Sequence, residues 1–255
     1  MKTLPLENPF GAPVYHEETV SSTFDTARIL AGKNEAHGTV IVADFQETGR
    51  GRLNRPWAAE RGKNLLCTIL LRYDDFAAIP KALTLKTGLA VSLALEDLAP
   101  ALSGSVQVKW PNDVMIGSRK AAGILTEGDG KNVFIGIGVN VGQAVFPGEY
   151  LSKAVSLTQL VPGLGRNARF ALLEKILSRL YREIEAVPEA SPWLERLSGR
   201  LYKKAETVIF AEGAADSIRL TEGTLSGLGP GGELLIIPRG EDKERAFISG
   251  ELRVY

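Results

Sequence analysis

Only one cysteine, Cys67, occurs in the 255 residues. A lone thiol excludes an intrachain disulfide, and its place in the apolar run LLCTILL, residues 65–71, marks it as core and fits a reducing compartment, with the cytoplasm as the expected location. An excess of charge is missing as well, since 30 Lys and Arg balance 30 Asp and Glu. No overall field draws such a chain to nucleic acid or to an acidic membrane surface, so any anion site has to be local. Long apolar stretches are also absent. Nothing approaches the roughly 18 unbroken apolar residues of a membrane span, and the opening MKTLPLENPFGAP contains no apolar signal core. The sequence has neither an internal repeat nor a low-complexity segment, and it is long enough for one large domain with a small one attached.

What is present alternates strand and helix signals. VYHEE (14–18) is a short extended piece, and Ser21 or Ser22 is placed to cap a helix that stops near Gly32. GTVIVADF (38–45) and NLLCTILLR (64–72) have the composition of buried strands, the first of them either internal or an edge that pairs across a dimer. Residues 79–99 predict a long helix whose nearly all-round apolar character implies burial between layers. In 106–128, Pro111 and Asn112 interrupt a strand and Gly117-Ser118 are placed to turn a hairpin. NVFIGIGVNVG (132–142) is a strand that loses its large side chains at alternate positions, which lets another backbone or a ligand come close. Residues 169–185 have helical apolar spacing, and SPWLERLSG (191–199) opens with a Ser-Pro helix start; both predict helices packed on the main sheet. The last fifty or so residues are short strands between Gly-rich turns, the pattern of a small antiparallel barrel. The expected architecture is therefore α+β, a mixed sheet with flanking helices over 1–199 and a barrel over 200–255.

Two segments carry the chemistry. GRGRLNRPW (49–57) places Arg50, Arg52 and Arg55 among glycines. On its own this is either a solvated hairpin tip or an anion cradle, in which glycine turns backbone N–H groups toward a ligand and arginine forks bind its oxygens. KWPNDV (109–114) is followed by Lys120 and Gly123, so that a hairpin brings Lys109, Asp113 and Lys120 toward one place. Core packing explains Trp110 and turn chemistry explains Pro111-Asn112, but Lys120 lies among the small residues of SRKAAGIL, beside space that something negative would fill.

Taken together, GRGRLNRPW, KWPNDV, RKAAGIL and GIGVN, in this order and spacing, resemble the biotin protein ligases over about residues 14–255. The resemblance implies a class II synthetase-like catalytic domain followed by an SH3-like barrel. It implies two steps with ATP and Mg²⁺: the biotin carboxylate attacks the α-phosphate of ATP, and a lysine of a biotin carboxyl carrier domain then attacks the biotinyl-5′-adenylate. Carried over residue by residue, the biotin contacts fall on Ser22, Thr23, Gln46, Arg50, Gly51, Arg52, Lys120 and Gly123, with Phe24 beside them. The nucleotide contacts fall on Arg52, Arg55, Trp57, Lys109 and Asn140. Lys120 would lie between carboxylate and α-phosphate, Arg52 would guard the adenylate, and Asp113 would hold the metal or help the incoming amine lose its proton. The loop 49–57 is expected to be mobile when empty and to close over the intermediate, keeping water out. One position departs from the pattern. Family members usually have Ser-Thr-Asn where this chain has Ser22-Thr23-Phe24, and a ring cannot supply an amide's hydrogen bonds.

Three rival functions fit less well. A lipoate ligase has different motifs, and octanoyl transfer of the related type would need a reactive thiol, for which Cys67 in its apolar run is badly placed. With only about a dozen residues before the first extended piece, no N-terminal DNA-binding domain is expected, and the basic loop lacks the interleaved aromatics of an RNA-binding surface. A pure interaction role for the C-terminal barrel has no motif behind it. The expectation is a biotin ligase that binds neither nucleic acid nor membrane, as a monomer or a homodimer.

Overall fold

The structure, a computed structural model, describes residues 1–165, 167–185, 193–213 and 218–253. Its main sheet has eight strands: β1 (Lys2–Leu4), β2 (Val14–Glu17), β3 (Thr39–Ala43), β4 (Leu65–Arg72), β5 (Val106–Lys109), β6 (Asp113–Ile116), β7 (Arg119–Gly128) and β8 (Asn132–Val139), in the spatial order β1-β2-β3-β4-β8-β7-β6-β5. β2 and β3 run parallel and the other neighbours antiparallel, so the sheet is mixed. β3 is internal, between β2 and β4, which decides between the two alternatives left open for GTVIVADF.

Alternation along β4 shows how the layers form. Leu65, Cys67, Ile69 and Leu71 point into a large core under helices α2 (Leu83–Leu98) and α4 (Ala168–Ile184), while Leu70 joins Ile41 and Phe134 under helix α1 (Thr23–Gly32). Ser22 is the cap of α1, its hydroxyl accepting from the Phe24 N–H at 3.3 Å. On α4 the stripe Leu172, Leu173, Ile176, Leu177 and Leu180 is fully buried against this core. Each such side chain contributes roughly 1.5–3 kcal/mol before chain entropy is charged against it. The segment Phe76–Leu98 is apolar enough by composition to cross a membrane, but α2 within it packs against β5, β6, β7 and α4, which accounts for its apolar surface on every side. A four-residue helix, α3 (Leu157–Leu160), follows β8 with Ser156 and Gln159 forming a capping box.

The remaining strands, β9 (Thr207–Glu212), β10 (Arg219–Leu228), β11 (Leu234–Pro238), β12 (Arg245–Phe247) and β13 (Glu251–Arg253), form a second, antiparallel sheet in the order β12-β11-β10-β9-β13. Phe247 of β12 and Phe210 of β9 have ring centroids 4.5 Å apart although two strands lie between them, so the sheet curls on itself, as an SH3-like barrel requires. Helix α5 (Trp193–Ser198) packs on α2 and β10. The expectation that it lies on the main sheet is corrected accordingly, and its Ser191-Pro192 start falls outside the described residues. The two sheets share an apolar cluster in which Trp110 and Val108 meet Phe210, Leu234 and Ile236.

Candidate active site

Sheet register alone assembles the centre of the site. One row across the main sheet runs Lys109, Asp113, Gly123, Gly138, Leu66, Ala43, each residue paired with the next on the neighbouring strand. Residues in such a row face the same side. The KWPND segment is thereby set beside a floor made of two glycines. Gly123 and Gly138 are bare because the indole of Trp57 lies on them: a Cβ on Gly138 would come within 2.6 Å of the ring, and one on Gly123 within 2.9 Å. Two residues further along the same face, a Cβ on Gly136 would come within 2.2 Å of the Phe24 ring. The alternating glycines of this strand thus admit two aromatic side chains.

Residues 110–112 turn a tight hairpin between β5 and β6, and core contacts fix it. Trp110 is 3% exposed and donates its indole N–H to the Gly232 carbonyl of the second sheet at 3.0 Å. The Asn112 amide donates to the Ile124 carbonyl at 2.8 Å, and the Ile124 N–H returns to the Asn112 carbonyl at 2.8 Å. On this frame the Lys120 ammonium lies 2.6 Å from Asp113 Oδ1 and 5.2 Å from the Trp57 ring centroid. Asn140 is buried and donates to the Lys120 carbonyl at 3.3 Å, so it holds the backbone that carries the lysine. Burial pushes the Lys109 ammonium below its ordinary value, opposed by the Asp113 and Glu251 carboxylates and reinforced by Lys120 and Arg55.

The arginine loop is folded rather than open. Its limbs cross in a bridge between Arg50 and Pro56, the Trp57 N–H donates to the Gly49 carbonyl at 2.9 Å, and the Gly51 N–H to the Arg55 carbonyl at 2.8 Å. At the tip Leu53 and Asn54 both take the left-handed conformation, with φ of 55° and 54°. For a branched residue such as leucine this is strained backbone. The three arginines separate. Arg52 donates to Asn112 Oδ1 at 3.4 Å and to the Gly250 carbonyl at 3.1 Å, and Arg55 makes a two-pronged pair with Glu251, both contacts at 2.9 Å. That pair raises the Arg55 guanidinium and, with Lys109 and Arg52 nearby, lowers the Glu251 carboxyl. Arg50 instead lies over Phe24, beside Glu127 and Asp25.

A polar relay closes the other end. Buried Thr68 donates to the Thr23 hydroxyl at 2.8 Å, and the Thr23 hydroxyl and N–H both donate to Gln46 Oε1, at 2.9 and 2.8 Å. Because an N–H can only donate, the Gln46 oxygen must face Thr23, which leaves its NH₂ free of that relay. Gln46 also lines an open cavity of about 620 Å³ with Thr48, Arg50, Pro56 and Trp57. Phe24, by contrast, is 4% exposed among Ala27, Leu30, Ile41 and Phe134, and supplies packing in place of an amide.

Among the described residues no group of three His, Cys, Asp or Glu side chains is placed to hold a metal ion. Asp113 is paired with Lys120 and neighboured by Lys109, a donor set that does not by itself form a resident cation site. Mg²⁺ that accompanies a nucleotide brings its own phosphate and water oxygens and belongs with the substrate. Cys67 is buried, and burial pushes its thiol up to about 12, which removes it as a nucleophile.

Residues 18–143, which contain strands β3 to β8 and helices α1 and α2, match the model of the biotin/lipoate A/B protein ligase family. A biotin--[acetyl-CoA-carboxylase] ligase of Paracoccus denitrificans is 30% identical over 195 residues, covering 72% of this chain and 79% of that protein. The chain belongs to the biotin/lipoate A/B protein ligase family. The bifunctional ligase/repressor BirA of Bacillus subtilis is 39% identical over 153 residues, or 57% of this chain and 46% of that protein, so the match spans about half the length of that relative. Among solved structures, the biotin protein ligase of Aquifex aeolicus in complex with biotin and ATP matches with a TM-score of 0.78 at 28% identity, over 94% of this chain and 97% of that one.

Within this family frame, the structure brings Ser22, Thr23, Gln46, Lys120, Gly123, Asp113 and Trp57 to one face of the sheet, with Arg52 and Arg55 at its rim. Sequence reasoning missed Thr68, Gly250 and Glu251 at the site, and outside it Glu127 as the ion-pair partner of Arg50. Thr68 carried a signal, as the one polar side chain within LLCTILL and on the parity that faces α1. Glu251 lies 196 positions from its partner Arg55, and nothing local marks it.

Proposed function

We propose that this family member activates biotin with Mg·ATP and transfers it to a lysine of a biotin carboxyl carrier domain. The observation that carries the reading is Lys120 paired with Asp113 at the edge of the glycine floor, facing an arginine loop whose indole lies on that floor. In the first step a carboxylate oxygen bonds to the α-phosphorus, the bond from that phosphorus to the bridging oxygen breaks, and pyrophosphate leaves. Two anions must meet, so cations have to offset their repulsion and the charge growing on phosphorus. Lys120 serves between carboxylate and α-phosphate, with Arg52, Arg55 and Lys109 along the nucleotide. Gln46 offers its amide N–H to the ring end of the acid, held in that sense by Thr23 and Thr68.

In the second step the acceptor amine bonds to the acyl carbon, the acyl–oxygen bond breaks and AMP leaves, with one proton lost from nitrogen. A free lysine has a pKa near 10.4, so only about one amine in a thousand is neutral at physiological pH. Asp113 is assigned as proton acceptor, released when Lys120 turns to the phosphate. Residues 1–199 carry the chemistry in this reading, and residues 200–255 close its nucleotide side through Gly250 and Glu251. A cysteine thioester route is disfavoured by the buried, high-pKa thiol of Cys67.

Mass spectrometry of a purified biotin-acceptor domain, incubated with the protein, Mg·ATP and either biotin or lipoate, tests the reading. A biotinyl adduct that disappears with Lys120→Ala or Arg52→Ala supports it. A lipoyl adduct alone, or none with either acid, overturns the choice of substrate.

A further inference from the structure

Three alternate rungs of the β7/β8 ladder face the site: Gly123 with Gly138, Leu125 with Gly136, and Glu127 with Phe134. Over the first lies the indole of Trp57, and over the second the ring of Phe24. The third is an ionic cluster. The Arg28 guanidinium contacts Glu127 Oε2, and the Arg50 guanidinium reaches the same oxygen at 3.4 Å. Asp25 adds a second carboxylate, 3.6 Å from Arg28 and 3.8 Å from Arg50. Both guanidinium groups lie over the Phe24 ring, with carbon-to-centroid distances of 5.9 Å for Arg28 and 5.5 Å for Arg50. Two cations are thus stacked near one ring and balanced by two carboxylates.

We propose that Glu127 is a positioning residue, which clamps Arg50 onto the Phe24 ring and thereby fixes where Trp57 lies on the glycine floor. The connection is short. Arg50 bridges Pro56 at the crossing of the loop's limbs, and the neighbouring Trp57 N–H is bonded to the Gly49 carbonyl. Removing the Glu127 charge leaves Arg28 and Arg50 repelling each other with only Asp25 between them, and the mobile partner is the loop arginine. The clamp also gives Phe24 a use. Where an asparagine would offer an amide, the ring offers a π face to a loop cation. The proposal rests on the adenylate reading for its consequence, because Trp57 belongs to the loop that in that reading closes over the intermediate, and a loosened loop lets the intermediate escape.

The test takes the whole protein in four forms: wild type, Glu127→Gln, Glu127→Asp and Phe24→Leu. Each is loaded with biotin and Mg·ATP, freed of excess by rapid gel filtration, and followed by chromatography for loss of bound biotinyl-5′-AMP. A parallel arm without substrates measures protease cleavage within residues 49–57. Glu127→Gln is expected to speed adenylate loss about two- to fivefold, the range of a partly exposed ion pair, with kcat for adenylate formation within twofold of wild type. Glu127→Asp should recover part of the retention, loop cleavage should rise in Glu127→Gln and Phe24→Leu, and 0.5 M salt should shrink the differences. Equal retention and equal cleavage in wild type and Glu127→Gln would overturn the clamp. A wild type that forms no adenylate would instead overturn the functional reading, and the cleavage arm would still decide the clamp. Glu127 is partly exposed, so its variants keep the test available if Phe24→Leu fails to fold.

Discussion

The hairpin joining β5 and β6 is held by its interior, with Trp110 3% exposed, its indole bonded to the second sheet and Asn112 tied to Ile124 in both directions. The arginine loop on the other side of the glycine floor is held by its exterior. Leu53 at its tip is 77% exposed, and Arg50, Arg52 and Arg55 are kept in place by polar and ionic contacts that water can reach. Buried contacts are broken only by unfolding, whereas exposed ion pairs are each worth about 0–1 kcal/mol and exchange readily with solvent. In the proposed reaction the difference separates Lys120, set by the hairpin, from loop cations whose contacts can give way to substrate. Opening the loop would uncover the floor and take the Trp57 ring away from Lys120, while leaving the pair of Lys120 with Asp113 in place.

The largest effect that would test this division comes from the fixed side. Lys120→Met should lower the rate of adenylate formation about 10²–10³-fold, the cost of one well-placed donor in such a site, while the melting temperature stays close to wild type. A loss below tenfold would mean that the loop arginines, and not the hairpin lysine, offset the approaching charges. Next in size are the glycines. Gly136→Ala puts a methyl 2.2 Å from the Phe24 ring and should cost about 1–3 kcal/mol of stability in urea unfolding. Gly138→Ala meets the loop's own indole at 2.6 Å, and the loop can lift where the core cannot. It should cost less stability than Gly136→Ala and raise loop cleavage instead; equal costs would show that Trp57 is as fixed as Phe24. Trp110→Phe, which gives up one buried hydrogen bond, should lower stability by about 0.5–1.5 kcal/mol and weaken the docking of the second sheet.

The same division explains what could be read in the sequence. Strands, helices and turns were legible because local rules set them: the cap, expected at Ser21 or Ser22 and found at Ser22, the stop at Gly32, the turn at Gly117 and the buried strand within 64–72 all appear where periodicity and turn chemistry put them. The convergence of Lys109, Asp113 and Lys120 was legible too, because a hairpin brings the ends of its strands together. The partners of the arginines were not. Arg50 with Glu127 and Arg55 with Glu251 are contacts across 77 and 196 positions, and Trp57 with Gly138 is another between distant elements, all set by the way sheets and loops pack. Phe24 shows the limit most clearly. As a departure from a motif it suggested a lost hydrogen bond, yet its surroundings make it a core ring with two cations over its face.

The smallest effects belong to the outer end of the loop, and they carry a characteristic dependence on salt and pH. Arg55 holds the Glu251 carboxyl below its ordinary range, so the pair's contribution is present above the unfolded carboxyl value of about 4.5 and is lost only as acid takes the solution below it. Between pH 6 and 9 loop cleavage should therefore be flat. Salt should act where pH does not. Raising ionic strength from 0.1 to 1 M shortens the screening length from about 10 to about 3 Å, and because Arg55 is largely exposed it should raise both loop cleavage and the KM for ATP. Glu251→Gln should produce about a two- to fivefold change of the same kind at low salt, consistent with one exposed pair, and add little at high salt. A Glu251→Gln protein whose KM for ATP still rises with salt as steeply as wild type would show that the arginines answer to the nucleotide alone. The second sheet would then be a support for Trp110 and not a latch on the loop.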